Sequence, residues 1–279
     1  MVKKITLQEV RQFWESNPLF TGESHFEPGS KEFFDEHRRI IIEDCMAGAI
    51  NPEFFPEDPD GLILDLGCGP GFWSVEFSIH KGCRRIVAAD LTFNGLSLAR
   101  KRCEVYGVRV PLIQANAEKL PFASNTFRHV SCLGVIHHTP NTDDCVKEIA
   151  RVTQPGGCAV LAVYYENLIL RHWPRLRRLG KWLTRLGGGM PGRGREKIFD
   201  AGDANDIVRL YDGAENPLGK AYSRSQFVNM VKPYFEIEKL FFHMFPARAL
   251  PFPVPKSLHR LLNRFLPFMI NVRLRKPTA

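Results

Sequence analysis

The sequence predicts an α/β fold: a doubly wound, mostly parallel seven-stranded sheet with helices on both faces, N-terminal helices before it and a basic C-terminal appendage. Three observations predict it. Between Gly61 and Tyr165, short apolar runs alternate with helical patterns. Those runs are apolar at nearly every position, as strands covered on both faces are. Near the end, "FEIEKLFF" and "FMINVRLRK" alternate well enough to form a closing antiparallel pair.

Residues 5–16 and 31–46 read as helices, with Phe33, Phe34, His37, Ile40 and Ile41 recurring at helical spacing. "NPLFTGESHFEPGS" between them is turn-rich, and "NPEFFPEDPD" (51–60), with three prolines, reads as a linker. "LILDL" (62–66) is the first strand, followed by a helix from about Gly71. "RRIVAAD" (84–90) is a second strand, and residues 94–107 a helix ended by Gly107. "VRVPLIQAN" (108–116), "FRHVSCLG" (127–134) and "CAVLAVYY" (158–165) complete five parallel strands. The helix at 141–157 takes Asn141 or Thr142 as its N-cap and stops at Gly156–Gly157.

Beyond Tyr165, "LILRHWPRLRRLGKWLTRL" (168–186) places Ile169, Trp173, Leu176, Leu179, Trp182 or Leu183, and Leu186 on one helical stripe among Arg and Lys. "GGGMPGRGREK" reads as a mobile loop, 223–235 as a Ser-capped helix, and 255–266 as a short basic amphipathic helix. The chain divides into a helical segment or lid (1–59), a core (60–165), a basic amphipathic insertion (166–222) and a closing segment (223–279).

The 279 residues suit one elaborated domain, and a hydrophobic share of 44% can bury a sizeable core. The start is polar and carries no signal-peptide pattern, and no run reaches the roughly 18 apolar residues of a spanning helix. Seven scattered cysteines without metal-ligand spacing read as reduced, structural thiols of a cytoplasmic protein, with no metal site. The net charge of +8 is concentrated at the back: after Glu238 there is no acid at all. That concerns partners, not fold.

"LILDLGCGPGFWS" (62–74) runs a strand into Gly67, Gly69 and Gly71. Phe72 stands where a dinucleotide fingerprint needs its third glycine, and the Gly-Lys-Ser/Thr of a P-loop is absent. Asp65, expected to point into the crevice at the strand's end, suits a ligand with an ammonium group; the alternative, compatible with it, is a structural cap on the loop amides. Asp90, ending the next strand, suits a ribose diol. Together they ask for a nucleoside with a cationic appendage and no phosphate.

"LDLGCGPG", "AADLT", "QANAEKLPF", "VSCLGVIHHTPN" and "EIARVTQPGG" occur in the order of five motifs. On them, residues 60–165 resemble the Rossmann-like class I S-adenosylmethionine-dependent methyltransferases, in particular the small-molecule branch that includes ubiquinone-biosynthesis-type enzymes. The resemblance implies S-adenosyl-L-methionine as cofactor and roles for matched positions. Asp65 and the amides around Gly67, Cys68 and Gly69 would hold the methionine end, with the Leu133 carbonyl on its amine. Asp90 would take the ribose and Leu91 would pack on the adenine. Asn116, where the family usually shows Asp, and Ala117 would bind the adenine edge. Cys68 is a small residue in a tight turn, not a nucleophile.

His137 and His138 follow strand four; His138, or else His137, is the candidate general base, the alternative being that they cap or pack in the turn. As a metal pair they are unpromising, because adjacent histidines there should point apart. Tyr164 and Tyr165 are candidate substrate contacts, as pocket wall or proton donors. Trp14, Phe20 and Phe26 are candidates for a lid; the alternative is a helix packed at the domain's edge. The basic apolar segments 168–186 and 250–276 suit an anionic membrane interface, hence a lipid-linked or hydrophobic acceptor; the alternative is that 168–186 packs its stripe on the core. An RNA methyltransferase is less well supported, since no RNA-binding module is visible, and a non-catalytic cofactor-binding protein is a further alternative.

Overall fold

The computed structural model describes residues 5–190 and 192–278. The first four residues, part of the start read above as lacking a signal peptide, lie outside the described residues, as does Pro191 of the glycine loop.

Two helices open the chain, α1 (Leu7–Ser16) and α2 (Lys31–Ile40). Thr6 and Glu9 form a reciprocal capping box at the start of α1, satisfying amides that a helix end otherwise leaves unpaired. The core then runs β1 (Ile63–Leu66), α3 (Phe72–Lys81), β2 (Ile86–Asp90), α4 (Phe93–Val105), β3 (Leu112–Gln114), β4 (Phe127–Leu133), α5 (Thr142–Val152) and β5 (Thr153–Tyr165). The insertion holds α6 (Leu168–Arg171), α7 (Trp173–Arg185), α8 (Ala204–Asp212) and β6 (Ala221–Tyr222). The closing segment holds α9 (Arg224–Val231), β7 (Glu236–His243), α10 (Lys256–Phe265) and β8 (Met269–Arg275).

The strand order is β3-β2-β1-β4-β5-β8-β7, with β8 antiparallel to both neighbours. The expected seven strands are therefore present. An eighth, two-residue β6 pairs with Tyr164 and Tyr165 just past the point where β4 stops. Alternate residues of each strand face opposite layers. On one side Leu64, Leu66, Val130 and Leu161 pack with α5 and α9; on the other Ile63, Ile86 and Val160 meet α3 and the segment before β1. The switch point between β1 and β4 lies at the carboxyl ends of the strands, where open α/β sheets bind ligands.

Four elements differ from expectation. The 51–60 stretch is no linker: Phe54 and Phe55 are buried, and Arg273 of β8 donates to the carbonyls of Glu53 and Phe55. α5 ends at Val152, and Gly156–Gly157 lie inside β5 at an irregularity in its pairing with β4. The 168–186 helix breaks at His172, before Pro174, and its stripe splits. Trp173 and Leu176 pack inward while Leu179, Trp182 and Leu186 face out. Finally, the glycine loop is pinned. The Gly189 amide donates to the Ala249 carbonyl, and buried Glu23 receives Arg195 at 2.9 Å and Arg248 at 3.0 Å. The insertion and residues 244–269 thereby share a second apolar core, built on Leu170, Trp173, Ile198, Val208 and Phe268.

Four buried histidines make the fold sensitive to acid. Burial holds His129 at about 3 and His243 at about 4, and pushes His37 and His137 well below the usual imidazole value. Each binds fewer protons folded than unfolded, so the stability it contributes is present above about pH 6.5 and lost as pH falls below that. Asp65, raised to about 6, acts in the opposite sense over a narrower window. At about 1.4 kcal/mol per unit and group, the histidines prevail. The urea midpoint is expected to fall continuously from pH 7 to pH 5, a loss of several kcal/mol; a flat profile would contradict it.

Candidate functional site

The loop after β1 is built by backbone strain that only glycine tolerates cheaply. Gly67 and Gly69 have φ of +71° and +48°, and a Cβ on Gly67 would stand 2.2 Å from a Val135 methyl. The loop amides are already used. Those of Gly67 and Cys68 donate to the Ala89 carbonyl, and that of Gly69 to Asp90 Oδ2 at 2.8 Å. This corrects the expectation that these amides would grip the ligand. With the Gly67, Cys68 and Gly69 amides turned inward, these three N–H groups are not offered to an anion. A Cβ on Gly69 or on Gly134 would meet nothing within 4 Å, so both backbones border open space.

That space is a crevice of about 1120 Å³ when the open solvent at its mouth is included. Gly67, Cys68, Gly69, Asp90, Leu91, Asn116, Ala117 and Leu133 all line it. Asp90 also accepts the amide and hydroxyl of Thr92 at 2.9 and 2.7 Å, which fixes its carboxylate at the tip of β2. Asn116 accepts the Glu118 amide at 2.9 Å through Oδ1 and keeps one lone pair. Burial raises the Cys68 thiol well above its ordinary value, so it stays protonated and unreactive.

Asp65 is the exception. It does not point into the crevice: it sits behind the loop, 2% exposed, accepting the Ser74 hydroxyl at 2.5 Å. The reason is the strand's alternation, which turns Asp65 toward α3 together with Ile63. Burial raises its carboxyl to about 6, against the lowering influence of Ser74.

The crevice is roofed by α1. Trp14 lines it, and Glu15 clamps the helix down by accepting the amides of Phe93 and Asn94 at the start of α4, at 2.9 and 2.8 Å. Of the other two lid candidates, Phe20 is buried against Phe33 and His37, and Phe26 is exposed.

The two histidines part company. His138 lines the crevice; its Nδ1 lies 2.7 Å from the Leu218 carbonyl and its Nε2 3.2 Å from Asp212. His137 is fully buried, and neither ring nitrogen has a partner among the described residues. Its ring packs on Tyr164 and edge-on to His138, each 4.2 Å away, so the pair does not point apart as expected. His137 is not placed to act as the base: its ring is fully buried and does not border the crevice, and burial makes it hard to protonate. Neither tyrosine lines the crevice: Tyr164 donates to Asp212 at 2.8 Å, and Tyr165 turns to the other layer against Phe242. Asp212 does line it, 7% exposed. It lies in the unmatched insertion, in a stretch where the sequence reading assigns neither an element nor a candidate residue.

The sheet order, the strained glycine loop and the acid at the tip of β2 define a Rossmann-like domain with a candidate nucleoside site at its switch point. Residues 63–157 match the family described as "Methyltransferase domain". The matched core, about a third of the chain, is similar to class I S-adenosylmethionine-dependent methyltransferases, quinone-biosynthesis enzymes among them. Among curated relatives, the malonyl-acyl-carrier-protein O-methyltransferase of Legionella pneumophila is 40% identical over 34% of this chain and 34% of its own. The ubiquinone/menaquinone biosynthesis C-methyltransferase UbiE of Nitrosospira multiformis is 33% identical over 51% of this chain and 59% of its own. With the Bacillus licheniformis demethylmenaquinone methyltransferase, of which 42% is covered, the chain spans a third to three-fifths of these relatives. A solved protein of Pyrococcus horikoshii shares the fold over 95% of this chain and 98% of its own, at 17% identity and a TM-score of 0.53. The cyclase SpnF does so over 98% and 97%, at 15% identity and a TM-score of 0.55.

Proposed function

We propose that the chain transfers a methyl group from S-adenosylmethionine to a hydrophobic small-molecule acceptor, at the surface of an anionic membrane. The observation that carries the transfer is the crevice: a loop without free amides, a fixed carboxylate for a ribose, and apolar walls under Trp14. When bound, the cofactor supplies a methyl group already activated by its sulfonium. The protein's part is alignment and exclusion of water, for which the clamped α1 lid is suited. Fold alone does not decide the reaction. Nor do the relatives choose the acceptor atom, since their names span oxygen and carbon. The test is a labelled-methyl assay on cell extract. Label moving into organic solvent supports the reading; label removed by RNase would favour RNA, and no transfer would leave a binding protein.

The membrane part rests on two helices outside the family match. Leu179, Trp182 and Leu186 of α7 and its end are 49, 54 and 51% exposed; Leu258, Leu261 and Phe265 of α10 are 43, 52 and 65% exposed. Their charged flanks are Arg175, Arg178, Lys181, Arg185, Arg260 and Arg264, with no acid in either helix. An apolar stripe bordered only by cations complements an anionic lipid surface, where each basic residue adds about 1 kcal/mol. No described helix is long and apolar enough to cross a membrane. Sedimentation with phosphatidylglycerol vesicles is expected to show binding at least tenfold tighter than to phosphatidylcholine, weakened by salt and by Arg175, Arg177 and Arg178→Ala. Salt-insensitive binding, or concentration-dependent dimerisation through the same stripes, would count against it.

A further inference from the structure

Resting on the methyltransferase reading, we infer that Asp212 is the carboxylate that receives the acceptor, that the acceptor presents a hydroxyl group, and that methylation falls on oxygen.

The hydrogen bonds around Asp212 carry this. A carbonyl only accepts, so His138 must donate Nδ1–H to Leu218. Its Nε2 lies 3.2 Å from Asp212 Oδ2. Both ring nitrogens thus face protein oxygens, and His138 is held against Asp212 instead of being turned to an acceptor. The sequence pointed to His138; the geometry moves the role one residue outward. Oδ2 of Asp212 also receives the Tyr164 hydroxyl at 2.8 Å. Oδ1 has no hydrogen-bond partner among the described residues, and Asp212 borders the crevice. One carboxylate oxygen is anchored from two sides, and the other is left for a ligand.

That vacancy selects the acceptor's chemistry. An amine meeting a carboxylate arrives as ammonium, without a lone pair to attack and with a charge that repels the sulfonium. A carbon that is already a carbanion offers no hydrogen for Oδ1 to accept. A hydroxyl can donate its hydrogen to Oδ1 and still turn a lone pair toward the methyl group. In the step, the acceptor's O–C bond forms as the S–C bond breaks. The S–C electron pair stays on sulfur, giving the neutral thioether, and the hydroxyl proton passes to Oδ1 and from there to water at the crevice mouth. His138 and Tyr164 are positioning residues. The Arg193 guanidinium, stacked over Trp14 at 5.6 Å, is the nearby fixed cation that keeps the carboxylate's charge supported.

The test uses the full chain, methyl-labelled S-adenosylmethionine and a total organic extract of cells. The labelled product is treated with hydriodic acid, which releases the methyl of an ether as iodomethane and leaves a C-methyl in place. Release of label is expected. Asp212→Asn should lower turnover at least 100-fold, with S-adenosylhomocysteine affinity by calorimetry within threefold of wild type, and Asp212→Glu should recover part of the rate. Should Asp212→Asn not fold, His138→Gln reads the same network: about a tenfold lower kcat with KM unchanged. Retained label after acid, or an Asp212→Asn enzyme within threefold of wild type, overturns the inference and leaves methyl transfer standing. A wild-type protein that neither binds S-adenosylhomocysteine nor labels any product removes the methyltransferase reading, and the inference with it.

Discussion

Asp90→Ala is expected to abolish measurable S-adenosylmethionine binding, at least a 100-fold loss, and to destabilise the protein by about 2–4 kcal/mol. The carboxylate joins three parts of the site. It accepts Gly69 N–H, which shapes the loop, and Thr92 N–H and Oγ–H, which start α4. Hydrogen bonds to a charged group contribute about 1.5–3 kcal/mol each, and donors left unpaired in a buried site add their desolvation cost. A ribose diol would lose its acceptor as well, so stability and binding fall together. Asp90→Asn should do little better, which separates charge from shape. The amide can present its oxygen to Gly69 or to Thr92 but not to both, and its NH2 then opposes an N–H. Calorimetry and urea unfolding on the two variants decide the matter. Alanine binding within threefold of wild type would remove Asp90 from the site.

Much of this was legible because the core obeys local rules. The glycine loop and the strand-ending acid each leave a mark in a few contiguous residues, and their spacing disfavours the phosphate-binding readings. The fate of the loop amides was not legible, because their partners, Ala89 and Asp90, come from another strand. Asp65 was misdirected for a simpler reason. Its place at a strand tip was right, but the face it takes follows from the pleat, and the pleat turns it to Ser74. Asp212 was invisible in kind: an acid closing an amphipathic helix is ordinary in sequence. It gains meaning only when α8 brings it against His138 and Tyr164, which lie 74 and 48 residues earlier (212 − 138 and 212 − 164). The stripe of α7 shows a third limit. Periodicity finds apolar residues on a helix but not which of them the rest of the chain covers, and here the cover reaches only Trp173 and Leu176.

Asp65→Asn should move stability and function in opposite directions. The folded-state value of about 6 lies above the ordinary 3.8 because burial disfavours the ionised form. The folded protein therefore binds the proton more tightly than the unfolded chain. Its favourable contribution is complete below about pH 4 and is lost as pH rises through 6, leaving an ionisation penalty of about 3 kcal/mol at neutral pH. Asparagine has nearly the same shape and can still accept the Ser74 hydroxyl, yet carries no charge to desolvate. At pH 7.5 the variant is expected to gain about 1–3 kcal/mol, and at pH 4.5 the gain should shrink toward zero. Such a penalty persists in a fold when the charge serves a ligand. Behind a loop whose amides are spent, a buried carboxylate is placed to act on a cationic ligand through space, so S-adenosylmethionine affinity should fall at least tenfold. Urea midpoints at the two pH values and calorimetry at pH 7.5 read both effects. Destabilisation at both pH values with binding intact would make Asp65 a structural anchor for Ser74 and nothing more.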